Sequence, residues 1–196
     1  MLDDLPPGYA VEIDGELEET AKAQRQVVIA IAISILLMVL VLTVQYNSLV
    51  KPAVVMAAVP LGMIGVLLGL LITGWAMGFM AMLGILALGG IVVNNAIVLI
   101  DFIETNVAAG QELRQAVADA GRVRMRPIVL TTLTTIGGLL PLSLFGGALW
   151  APMTNGMIFG LSVSTVLTLF VIPSLYVLMV EKAGMKVLRA PAPDVS

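Results

Sequence analysis

Residues 77–101 read MGFMAMLGILALGGIVVNNAIVLID. An apolar run of this length fits a helix that crosses a bilayer. Two adjacent amides, Asn94 and Asn95, sit inside it, and a carboxylate, Asp101, closes it. An unpaired amide in hydrocarbon is costly, so the pair calls for partners on neighbouring helices or in a wet cavity. On an ideal helix Ala87, Gly90, Asn94 and Asp101 fall within one narrow arc, which predicts a buried small-and-polar face. Asn95 points about 100° away, and Asn94 lies roughly 10 Å along the axis from Asp101.

The whole chain shares the character of this stretch. Of its 196 residues, 59% are hydrophobic, and the mean hydropathy is +1.05. Charged residues are 12%, about half the share usual in soluble proteins. The composition therefore predicts an integral membrane protein. There is no Cys and no His. That removes disulfides, thiol nucleophiles, His-based acid–base chemistry and His/Cys metal sites. No catalytic residue, cofactor, metal site or nucleic-acid partner is expected, and an enzyme is not the reading.

Working outward, five apolar spans are expected at about 27–45, 53–73, 77–101, 127–145 and 156–180. Pro52 suits the first turn of the second. Gly65 and Gly69 in that span form a G-x-x-x-G pair, read equally well as a packing seam or as ordinary glycine content. Trp75 and Trp150 mark interfacial turns. Between the third and fourth spans, Leu113, Ala116, Val117, Ala120 and Val123 recur every three or four residues. They predict a separate amphipathic surface helix at about 110–124, with Pro127 breaking it from the fourth span. Residues 1–26 are acidic. Tyr9, Val11 and Ile13 alternate as a short strand without a partner, the remnant of a larger extracytoplasmic domain, followed by a lead-in helix. Residues 181–196 form a tail.

Charge sets the expected orientation. With five spans, Lys51, the arginines at 114, 122, 124 and 126, and Lys182, Lys186 and Arg189 all fall on one side. Only Lys22 and Arg25 fall on the other. The positive-inside rule then places the N-terminus outside and the C-terminus and the amphipathic helix in the cytoplasm. The fourth span offers a matching polar face, Thr131, Thr135 and Gly138, with Arg124 one heptad earlier. A hydrogen-bonded relay between the third and fourth spans is one reading. Helix–helix glue, at about 1 kcal/mol or less per bond, is the other. Asn carries no proton, and no carboxylate lies deep in any span, so an ion-driven machine needs one from elsewhere.

Several stretches resemble one family in order and spacing: LPPGY at 5–9, QYNSLVKPAVVMAAVPLGMIGVLLGL at 45–70, GGIVVNNAIVLIDFIE at 89–104, RVRMRPIVLTTLTTIGGLLPL at 122–142 and GMIFGLSVSTVLTLFVIPSLYVLM at 156–179. The chain is similar to the C-terminal five helices of the resistance-nodulation-cell division (RND) superfamily, within its hydrophobe/amphiphile multidrug efflux transporters. The resemblance implies a multi-pass protein of the inner membrane. It implies a proton/drug antiporter that works as a homotrimer with a periplasmic adaptor and an outer-membrane channel. The full protein has twelve helices and two periplasmic domains, so the partner expected here is the N-terminal half. LPPGYAVEID resembles the last strand of the second porter domain. In the family a pair of Asp on the fourth helix binds the proton and engages a Lys, an Arg and a Thr. By motif these last three positions are Asn94, Arg124 and Thr131, with Asn95, Asp101 and Thr135 in support. Asn94 in the lysine's place removes that salt bridge and leaves the coupling ion open. The family's drug pockets sit in the periplasmic domains, so the resemblance places no substrate contact on these residues. The rival expectation is a truncated, non-transporting remnant or assembly fragment.

Overall fold

A computed structural model describes residues 14–48 and 50–183. The strand expected near Tyr9 and the tail beyond 183 lie outside the described residues. The described chain is helical throughout: α1 is Asp14–Tyr46, α2 Val50–Met56, α3 Ala58–Thr73, α4 Phe79–Ala108, α5 Leu113–Phe145 and α6 Gly147–Ala183. Five segments are long and apolar enough to cross a membrane, with α2 and α3 together forming the second. This is the all-α membrane architecture the hydropathy predicts.

The helix ends differ from the expected spans in ways the local chemistry explains. The polar lead-in continues without interruption into α1, because ELEETAKAQRQ is itself helix-forming. The second span breaks at Ala57. Pro60 has no N–H for the Met56 carbonyl, and its ring crowds that carbonyl, so the helix kinks one turn earlier. Gly74 takes φ 74° at the end of α3 and donates its N–H to the Leu70 carbonyl. That left-handed turn lets the chain reverse into α4 in a few residues.

The largest correction concerns α5. The separate amphipathic helix at 110–124 and the fourth span beginning at 127 are one continuous helix with Pro127 inside it. A proline forfeits one backbone bond, but in apolar surroundings no water competes for the others, and the helix persists. The amphipathic stripe is real in part. Ala116 and Ala120 are buried and Val117 is half-buried, whereas Val123 is exposed. The turn expected at 146–155 is also helical. Gly146 and Gly147 alone reverse the chain, with Gly147 at φ 69°.

At the centre, α6 packs on α3, α4 and α5, while α1 runs alongside α2 and α4. Lipid gives helices no hydrophobic reason to associate, so close packing of small residues must hold the bundle. The seam between α3 and α6 does this. A methyl added at Gly65 would lie 2.8 Å from the Phe159 carbonyl oxygen and 2.9 Å from the Gly160 Cα. One added at Gly69 would run into the Phe159 side chain, and one at Gly160 would lie 2.8 Å from a Val66 methyl. The G-x-x-x-G pair is therefore a packing seam. The large apolar side chains of α1 and α5, among them Leu36, Val44, Leu130, Leu133 and Leu144, point outward. That arrangement suits a lipid surround or further helices.

Candidate functional site

Two polar regions stand out in the bundle, one anticipated from the sequence and one not. The anticipated region lies on α4 and α5. Ala87, Gly90, Asn94 and Asp101 share one side of α4 as the geometry predicts, but that side is exposed, not buried. Asn95, placed aside by the sequence reading, is the buried amide, at 8% exposure. The arc was correctly drawn, and no described helix covers it. Periodicity finds which residues share a face, but not what covers it.

Across from it, Arg124 lays its guanidinium over the Phe102 ring, 4.7 Å from the centroid, within cation–π range. Its Nε is buried and makes no hydrogen bond to a described residue. This contact sets the register of the antiparallel neighbours α4 and α5. Seven residues further along each helix, Thr131 comes level with Asn94 and Asn95. No direct hydrogen bond joins them among the described residues. The Thr131 hydroxyl donates to the Pro127 carbonyl at 2.9 Å, and Thr135 donates to the Thr131 carbonyl at 2.8 Å. Both hydroxyls are thus satisfied by their own helix. The side chain that does bridge helices is the adjacent one: Thr132 shares a 2.8 Å hydrogen bond with Thr165 of α6.

The unanticipated region is a buried ion pair. Lys51 of α2 and Glu104 of α4 meet at 2.6 Å, with their side chains 2% and 7% exposed. The Tyr176 hydroxyl of α6 donates to the same Glu104 oxygen at 3.1 Å. The Tyr46 ring, from the last residue of α1, lies 5.8 Å from the Lys51 nitrogen, and its hydroxyl donates to the Ile97 carbonyl at 3.4 Å. Four elements are thereby tied together at one end of the bundle. Around them lie Val54, Val55, Ile100, Ile103 and Ile172, all fully buried. In such surroundings a charge is tolerated only when paired and hydrogen-bonded. By contrast, Arg114 and Glu181 pair at 3.1 Å on the surface, where such a bridge contributes about 1 kcal/mol at most.

Sequence reasoning took Lys51 only as an interfacial charge and passed over Glu104. The available signal was weak: two opposite charges bordering apolar runs, and two of the chain's three tyrosines at helix positions near one end. Nothing in a sequence pairs positions 53 residues apart.

The arrangement has no group of three metal-ligating carboxylates among the described residues. What it offers is polar side chains held at helix–helix contacts inside an apolar bundle. That defines the class: a membrane-spanning helical bundle of the kind that forms the membrane domain of a transporter. Residues 2–180 match the AcrB/AcrD/AcrF family, and the chain belongs to that family of the RND superfamily. Its fold is similar to two crystal structures of a heavy metal efflux pump. For crystal form II the TM-score is 0.76, with 30% identity over 86% of this chain. For crystal form I the values are 0.71, 31% and 84%. In both comparisons the chain spans 17% of the pump's length.

Proposed function

We propose that this chain forms the C-terminal membrane part of an ion-driven RND efflux transporter, with its N-terminus outside and its C-terminus in the cytoplasm of the inner membrane. In this reading it completes a proton/drug antiporter together with the N-terminal helices. The assembly is a homotrimer that engages a periplasmic adaptor and an outer-membrane channel. Asn94, Arg124 and Thr131 serve the ion relay, supported by Asn95, Asp101 and Thr135. The observation that carries the reading is the open face of α4. Asn94 and Asp101 are exposed there, with small residues at Ala87 and Gly90 on the same side. A polar face on a membrane helix faces protein or water, not lipid. It is therefore suited to carboxylates on other helices. Asn94 can donate and accept hydrogen bonds with them, but cannot form a salt bridge.

The test is efflux of a hydrophobic dye by the full-length transporter. Asn94→Ala and Thr131→Ala are each expected to lower the rate about tenfold, equivalent to ~1.4 kcal/mol, at unchanged protein level. Normal efflux in both variants would remove the relay role.

A specific observation favours a second reading of the cargo. Met38, Met63, Met77 and Met82 line one cavity of about 250 Å³ between α1, α3 and α4. Thioethers select soft ions such as Cu(I). A soft metal ion as substrate predicts that Met38→Leu with Met82→Leu sensitises cells to silver but leaves dye efflux intact. An apolar cargo predicts the reverse.

A further inference from the structure

Helix α5 has two unlike sides. Arg124, Thr131 and Thr135 share one of them. On an ideal helix Arg122, Arg126, Val129, Leu133, Leu140 and Leu144 share the other, within about 60° of arc centred roughly 170° from Arg124. All six are exposed. The stripe is basic at one end and aliphatic along the rest of its length.

Its dimensions match a bilayer. From Arg126 to Leu144 the helix rises about 27 Å, close to the hydrocarbon thickness of about 30 Å. Phe145, 86% exposed, and the exposed Trp150 stand at the far end, where aromatic side chains meet the opposite interface. Close helix–helix contact in lipid relies on small or polar residues. This stripe carries large aliphatic side chains instead, with Gly137 only at its edge.

The two guanidiniums lie one turn apart, about 6 Å along the axis. Neither forms an ion pair with a described residue. The nearest acid on α5, Asp119, accepts a hydrogen bond from the Gln111 amide at 2.6 Å, and Glu181 of α6 pairs with Arg114. Two positive charges without a carboxylate partner therefore head an apolar track.

We propose that this stripe docks an anionic glycerophospholipid, with its phosphate between Arg122 and Arg126 and its acyl chains along Val129 and Leu133. A guanidinium fork matches phosphate oxygens in both charge and geometry. A zwitterionic lipid brings an ammonium group to the same two cations and is disfavoured. A soluble phosphate has no chains and gains nothing from the aliphatic track. The proposal rests on the membrane-spanning fold alone, and holds for either orientation of the chain and for any cargo.

Electron paramagnetic resonance of labelled lipids tests it. The chain is reconstituted in phosphatidylcholine with a trace of spin-labelled phosphatidylglycerol or spin-labelled phosphatidylcholine. The phosphatidylglycerol label is expected to associate about tenfold more strongly. Each basic residue near the surface contributes about fivefold, so Arg122→Gln with Arg126→Gln is expected to abolish the preference. Association of the phosphatidylcholine label stays unchanged, which reports an intact fold. Arg114→Gln with Lys182→Gln removes the same charge at the same end of the bundle and is expected to keep the preference. Equal loss in the two double variants overturns the proposal, because overall charge and not a site then recruits the lipid. Displacement of the label by millimolar inorganic phosphate, but not by chloride of equal ionic strength, overturns it in favour of a soluble anion. Absence of the preference in the full-length transporter overturns it by assigning the stripe to another helix.

Discussion

Lys51→Met or Glu104→Leu alone is expected to lower the unfolding free energy by about 3–5 kcal/mol, because each leaves an unpaired charge in an apolar interior. The double variant is expected to recover part of that loss. The reason lies in how the pair is held. Two ions taken out of water lose several kcal/mol of hydration each, and their mutual attraction roughly offsets it. Lys51 and Glu104 are almost completely enclosed, so water cannot solvate the survivor of a single substitution. Removing both leaves two apolar side chains of similar bulk among Val54, Val55, Ile100 and Ile103. Tyr176 then loses its acceptor, so recovery falls short of complete by about 1–3 kcal/mol, the cost of a stranded buried hydroxyl. Denaturant unfolding in detergent, run as a double-mutant cycle, measures all three. If the single variants unfold like the parent, the charges are not enclosed as described. A double variant as unstable as the worse single would show that the pair's attraction outweighs its desolvation.

The second large effect is expected from Gly65→Ala. The added methyl would meet the Phe159 carbonyl oxygen at 2.8 Å, the Val163 Cβ at 2.8 Å and the Gly160 Cα at 2.9 Å. Two of these are backbone atoms and the third is fixed to backbone, so no side chain can rotate away. The helices α3 and α6 must separate, which removes the close contact that substitutes for a hydrophobic drive in lipid. Overpacking of this kind costs about 1–3 kcal/mol, and the rigid neighbours place Gly65→Ala at the upper end. Gly137→Ala on α5 is the control. Its added methyl meets nothing within 4 Å, and replacing a helical glycine there is expected to gain about 0.5–1 kcal/mol. Equal midpoints for the two variants would contradict the seam.

These two effects differ in how far they could be read from the chain itself. The glycine spacing was visible, and its two readings separated only when α6 was found opposite. The ion pair was not visible at all. Helix type, span count and the sharing of a face follow from hydropathy and a 3.6-residue period, both local properties. That is why five spans and the arc of Ala87, Gly90, Asn94 and Asp101 came out of the sequence. Helix boundaries were less legible. Pro127 reads as a break because of its missing N–H, yet the helix continues, since losing one bond costs less than exposing several to an apolar medium.

By itself, then, the sequence determined a membrane-embedded helical chain and the residues that share each helix face. Its motifs pointed to the family that the comparison of residues 2–180 then established. Only the tertiary structure decided which faces are covered. It turned Asn94 outward and Asn95 inward, joined Lys51 to Glu104 across α2 and α4, and left Thr168 without a partner among the described residues. The physical reason is common to all three. Burial and pairing depend on which helix lies opposite, and in this chain the opposing helix is often far away in sequence. For the open face of α4, no described residue supplies it.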